Sequence, residues 1–125
     1  TPDYIFQLKN SVSEKPMTFF YEADCGTETI NPKKDQPVSI YKKMLAYFYT
    51  YELKIHTELW NIQDFRVLIV TTSEKRMEHM IEANKIFNNG NGSELFLFTT
   101  REVVRNTRNI LEMSWVDGEE NKVLL

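Results

Sequence analysis

Cysteine is almost missing from this chain: the single thiol, Cys25, excludes an internal disulfide. No apolar run is long enough to span a bilayer, and no stretch reads as a signal peptide. A basic excess is absent too. With 15 Lys and Arg against 18 Asp and Glu, and a net charge of −3, the chain lacks the bulk charge of a protein that coats nucleic acid, so any phosphate binding must come from local patches. The two histidines, His56 and His79, stand far apart without ligand spacing and read as structural or surface residues. Gly90-Asn91-Gly92 lacks the strand-to-helix context of a phosphate-binding loop and reads as a turn. There is no internal repeat and no low-complexity linker. These absences point to a reducing, cytoplasmic setting with no membrane partner, and leave the oligomeric state open.

What the chain does have is a core's worth of large side chains: 125 residues, 42% hydrophobic, with eight Phe, six Tyr and two Trp, enough for one domain without disulfides. Tyr4 to Leu8 and Met17 to Asp24 read as strands of a hairpin, and residues 26–36 as a polar loop. Asp35 or Gln36 can cap a helix with Pro37 in its first turn. Ile40, Tyr41, Met44, Leu45, Phe48 and Tyr51 recur at three and four, predicting an amphipathic helix from Val38 to about Lys54. Phe65 to Thr72 is the most strand-like run, apolar enough to be covered on both faces. Ser73 caps a second helix to Phe87, in which Asn84 interrupts the apolar stripe; residues 88–93 form a turn, and Leu95 to Thr99 a further buried strand. Thr99 or Thr100 caps a short helix to about Asn106, and Ile110 to Val116 with Lys122 to Leu125 suggest a terminal hairpin around Asp117-Gly118. The order implies an α/β (α+β) fold: a mixed central sheet with flanking helices, and parallel pairing within the strand-helix-strand unit.

The stretch Phe19 to Glu28 organises the rest. Three aromatic residues run into Glu22 and Asp24, two apart and so on one strand face, before Gly26 turns the chain. Asp3 stands at the head of the preceding strand, so a hairpin can gather three carboxylates. Three acids in a partly buried site need a cation or protons to offset their repulsion, and hard oxygen donors suit Mg2+ or Mn2+, which activate water and clamp phosphate. The plain alternative is a solvated strand end with a turn acid beside it. Cys25 reads as a buried small residue, since no histidine is placed to activate it and the neighbouring acids raise its pKa. Thr27 and Glu28 read as local hydrogen-bonding groups of the turn.

Pro2-Asp3 on one strand and Glu22-x-Asp24 at the end of the next, followed by a helix and an apolar strand, resembles the restriction-endonuclease-like PD-(D/E)XK core. More narrowly, Pro2-Asp3, Phe19 to Glu22 with Asp24-x-Gly26-Thr27-Glu28, Lys43 followed by Tyr47, Phe65 to Thr71 and Leu97 to Thr100 resemble the replication-relaxation family of plasmid and mobile-element proteins. The resemblance covers roughly residues 2 to 116. It implies a single nuclease-like domain, a fragment of a longer chain with a DNA-binding region upstream, acting on or binding DNA and meeting replication or conjugation proteins. Carried over by position, Asp3 and Glu22 become metal ligands with the main-chain carbonyl of Ala23 a third, for Mg2+ or Mn2+. Asp24 stands where the nuclease pattern has a lysine that positions water. Lys43 on the following helix can substitute for it, ahead of Lys42. The catalytic set is then Asp3, Glu22, Asp24 and Lys43, and a catalytically silent DNA- or protein-binding module is the alternative.

Candidate phosphate contacts are Arg101, Arg105 and Arg108, at i, i+4 and i+7 on a short helix, with Lys33 and Lys34 in the loop; a merely solvated face is the other reading. Tyr41, Tyr47, Phe48, Tyr49 and Tyr51 read as core and rim, with a surplus that can stack on bases.

Overall fold

The computed structural model describes residues 2–9, 16–26, 40–62, 64–87, 90 and 92–125. In chain order the elements are strands β1 (Tyr4–Leu8) and β2 (Met17–Ala23), helices α1 (Ile40–Glu52) and α2 (Ile55–Trp60), β3 (Phe65–Thr71), α3 (Glu74–Phe87), β4 (Phe96–Thr100), α4 (Arg101–Arg105), a 3-10 turn at Ile110–Glu112, β5 (Trp115–Asp117) and β6 (Lys122–Val123). The strands form one six-stranded sheet in the order β1-β2-β3-β4-β5-β6. β2, β3 and β4 are parallel, and the outer pairs are antiparallel. The fold is therefore α/β with a mixed sheet. No helix among the described residues is long and apolar enough to cross a membrane.

Both crossovers step the sheet in the same direction, so the handedness rule sends their helices to the same face. There Ile40, Tyr41 and Met44 of α1 and Met80, Ile81 and Ala83 of α3 pack on Phe20, Val67, Ile69, Phe96 and Phe98. The alternate residues Phe19, Leu68, Val70, Leu97 and Trp115 form a second cluster with Met113, to which no helix among the described residues contributes. Phe65 and Val67 to Thr71 of β3 are buried, as a strand covered on both faces requires.

Two expectations are corrected. The first helix does not run on to about Lys54: α1 ends at Glu52, Lys54 takes a left-handed conformation (φ 55°), and a separate helix, α2, begins at Ile55. A left-handed residue ends a helix because it turns the next carbonyl away from the ladder. The segment from Ile110 is not a strand at first but a 3-10 turn capped by Asn109, and pairing starts only at Trp115. Other signals hold. Ser73 accepts the Arg76 N–H at 3.2 Å, and Thr100 accepts that of Val103 at 3.4 Å, so both caps stand where their hydroxyls suggested. Asn84, the interruption in the α3 stripe, is fully buried and donates to the Gly118 carbonyl at 3.4 Å. That approach needs a glycine: a Cβ on Gly118 would collide with the Asn84 amide and the Ser93 main chain. The expected cap and first helical turn at Asp35 to Val38, and Thr27, Glu28, Lys33 and Lys34, lie outside the described residues.

Candidate functional site at the carboxyl end of the parallel strands

Because β1 is antiparallel to β2, the start of β1 and the ends of β2, β3 and β4 all meet at one end of the sheet. This is the end at which open α/β sheets hold ligands. Asp3 sits just before β1: its N–H donates to the Tyr21 carbonyl at 3.0 Å, and its Oδ2 accepts the Ala23 N–H at 2.8 Å. Asp3 thus brackets Glu22 across the strand end. Glu22, 7% exposed, projects to the helical face with Phe20, and its Oε1 accepts the Tyr47 hydroxyl of α1 at 2.7 Å. Burial pushes the Tyr47 phenol well above its ordinary range, and the bond to Glu22 and the charges of Glu22 and Asp3 push it further. Tyr21, on the opposite face, is raised by burial, Asp3 and Tyr4 against an opposing pull from Arg101.

Asp24 is held differently. Its side chain is 1% exposed and takes the Arg76 guanidinium as a fork, with Nη2 3.0 Å from Oδ1 and Nε on Oδ2, while Thr71 donates to Oδ2 at 2.7 Å. Burial by itself raises this carboxyl, but the bonds from Arg76 and Thr71, the Arg76 charge and the Gly26 N–H outweigh it and hold the group below the ordinary range. Its main-chain carbonyl lies 3.5 Å from the Arg101 guanidinium. Gly26 follows at φ 80°, the left-handed turn its residue type suggested. Cys25 is exposed rather than buried, because Asp24 turns inward to Arg76 and the next side chain faces out.

A cavity of about 630 Å³ opens beside Glu22, walled by Pro2, Ile5, Phe20, Ala46, Trp60 and Ile62, with Lys43, Tyr47 and Thr50 reaching it from α1. The spacing of Lys43, Tyr47 and Thr50, four and then three, puts them on one helix stripe over β2. Glu22 and Lys43, paired in the sequence reading, share this wall. Phe20 stacks on Tyr47 (5.8 Å, 27°) and meets Trp60 edge to face (5.9 Å, 77°). A smaller hollow of about 350 Å³, with Glu52, Asp64, Arg66 and Glu94 among its lining, lies at the opposite end of the sheet.

Of the arginine stripe, Arg101 and Arg105 lie on α4 and Arg108 beyond it, because α4 stops at Arg105. Arg105 and Arg108 are exposed; Arg101 is half-buried against Asp24. His56 is buried and stacked on Tyr51 (5.4 Å, 7°), a packing role, and His79 is exposed. Among the described residues no group of three or more His, Cys, Asp or Glu side chains is arranged to hold a metal ion. Both oxygens of Asp24 are engaged by Arg76 and Thr71. That leaves Asp3 and Glu22, with one oxygen of each bonded to the Ala23 amide and the Tyr47 hydroxyl, and the Ala23 carbonyl as the hard oxygen donors at this strand end, the donor type that Mg2+ or Mn2+ takes.

Arg76 and Thr71 escaped the sequence reading. A lone arginine in the first turn of a polar helix carries no signal, and only the parallel register that sets Ala23 opposite Val70 brings it to Asp24. Trp60 escaped with α2. The tyrosine surplus on α1 was the one available hint of the Tyr47 contact. No family model matches this sequence, and neither a curated protein nor a solved structure matches it, so the chemistry of these residues carries the functional reading.

Proposed function

We propose that the chain is a nuclease-like domain of the replication-relaxation kind, cytoplasmic, which engages DNA phosphates through a divalent cation held by Asp3, Glu22 and the Ala23 carbonyl. The observation that carries the reading is the register that sets the start of β1 against the end of β2, with Asp3 bound to the Ala23 amide next to Glu22, and Glu22 and Lys43 on the wall of one cavity. A bound Mg2+ or Mn2+ would supply Lewis-acid polarisation of phosphate and a more acidic water. The chain's own groups do the rest. The Tyr47 hydroxyl fixes the Glu22 carboxylate in one rotamer, the Asp3 carboxylate is pinned by the Ala23 amide, and Lys43 offers a positive charge to a phosphate entering beside them. Asp24, with Arg76, closes the end of the strand and takes no part in catalysis.

A second reading, a silent DNA- or protein-binding module on the same fold, draws on one observation: the strand position that the nuclease pattern gives to lysine is filled by an acid already neutralised by Arg76. Calorimetric titration with Mn2+ and plasmid nicking divide the two. Wild type should bind Mn2+ and nick, Asp3→Asn and Glu22→Gln should each lose Mn2+ affinity by tenfold or more, and Lys43→Met should keep Mn2+ but lose nicking. Mn2+ binding without nicking selects the silent module. Equal affinity in wild type and Asp3→Asn sinks the metal site.

A further inference from the structure

The cavity beside Glu22 is much larger and more apolar than a phosphate needs. Its charged lining groups are Glu22 and Lys43, while Phe20, Trp60 and Ile62 give it an apolar wall. A ligand that fills it has a charged end and a flat apolar body. About 630 Å³ lies within the range of small-ligand sites and admits a whole nucleotide. Trp60 is 51% exposed at the rim, a large indole left half in solvent where a base can stack on it. Bases of an intact duplex are stacked on each other and cannot enter such a wall.

Resting on the nucleic-acid reading above, we propose that the cavity receives an unpaired base, stacked on the exposed face of Trp60, with its phosphate directed to Lys43 and the acids, so that the domain selects single-stranded DNA over duplex. The selection needs no hydrogen-bond readout of the base, because the wall is apolar; it follows from which form of DNA has a base to offer.

Fluorescence anisotropy with a labelled oligothymidylate and a blunt duplex of equal length, both in Mn2+, tests this. The single strand should bind tighter by about tenfold or more, and Trp60→Ala should lose about tenfold on the single strand alone, with duplex and Mn2+ affinities unchanged. Ala46→Trp, which fills the cavity from an exposed position of α1, should produce the same selective loss without touching Trp60. Equal affinity for the two forms overturns the proposal while leaving the metal-dependent reading intact, as does single-strand affinity that neither variant alters. Absence of binding to either form in Mn2+ overturns that reading and this proposal together.

Discussion

A carboxylate as deeply buried as Asp24 is stable only in company. Its partner Arg76 presents a fork, the geometry that lets a guanidinium compensate two carboxylate oxygens at once. Removing one side leaves the other charged and dry, so Arg76→Ala is expected to cost about 3–5 kcal/mol of stability by urea denaturation, more than Asp24→Asn, which removes the charge with the pair. The pair also sets an acid limit. The Asp24 carboxyl is held down in the folded state, so its contribution is present at pH values above the ordinary carboxylate pKa of about 3.9 and disappears as pH falls through the lower folded value. Urea midpoints measured from neutral pH down to about 3 should fall more steeply for wild type than for Asp24→Asn; parallel curves would show that Asp24 is not the group being titrated. Glu22 and Tyr47 illustrate how much of such a site a sequence shows. The acid is legible from its place at the end of an aromatic strand, but its hydroxyl partner is 25 residues away and depends on how α1 lies over β2.

At the level of elements, the apolar repeat of α1 was legible because three- and four-residue spacing follows from the helix itself. The break after it was not. Nothing in Leu53-Lys54-Ile55 marks a stop by residue type, since lysine is a good helix former, yet Lys54 is left-handed and α2 starts afresh. The break shapes the cavity, because Trp60 of α2 lies against Phe20 and forms part of its wall. Lys54 holds a conformation that glycine adopts without penalty. Lys54→Gly should therefore raise stability by up to about 1 kcal/mol and Lys54→Val lower it by about 1–2, read from thermal midpoints and urea curves. If valine is tolerated as well as glycine, the left-handed break is not how the helix ends. The terminal segment shows the converse case: Asn109 caps a 3-10 turn through its side chain, a local choice that delayed the strand read from apolar residues alone.

For the molecule as a whole, a net charge of −3 limits what bulk electrostatics can contribute to binding nucleic acid. In the proposed function, affinity for DNA would arise from a few cations, Lys43 in the cavity and Arg105 and Arg108 on the surface, together with a metal at the acids. Salt dependence should accordingly be shallow, with a log-log slope for a single strand between about −1 and −3, while chelation should weaken binding more than a doubling of salt does. A slope of about −6 or steeper would mean a phosphate track wider than these residues supply. The sheet's fold class was legible because alternation and buried runs belong to each strand separately. Its neighbour relations set the site, and these follow from register.

Those neighbour relations have one more consequence. Since the strands stand side by side in the order in which they occur in the chain, the sheet can be laid down from one edge during synthesis, each strand docking on the one made just before it. Among the described strands none has to be threaded between two already in place, although β3 reaches β2 only after α1 and α2 have been made. Loop-closure entropy is then met one crossover at a time, the parallel pairings being the long-range steps. The acids of β1 and β2 are then brought together at the first step, and the cavity wall, the Arg76 clamp and the second face are added behind them.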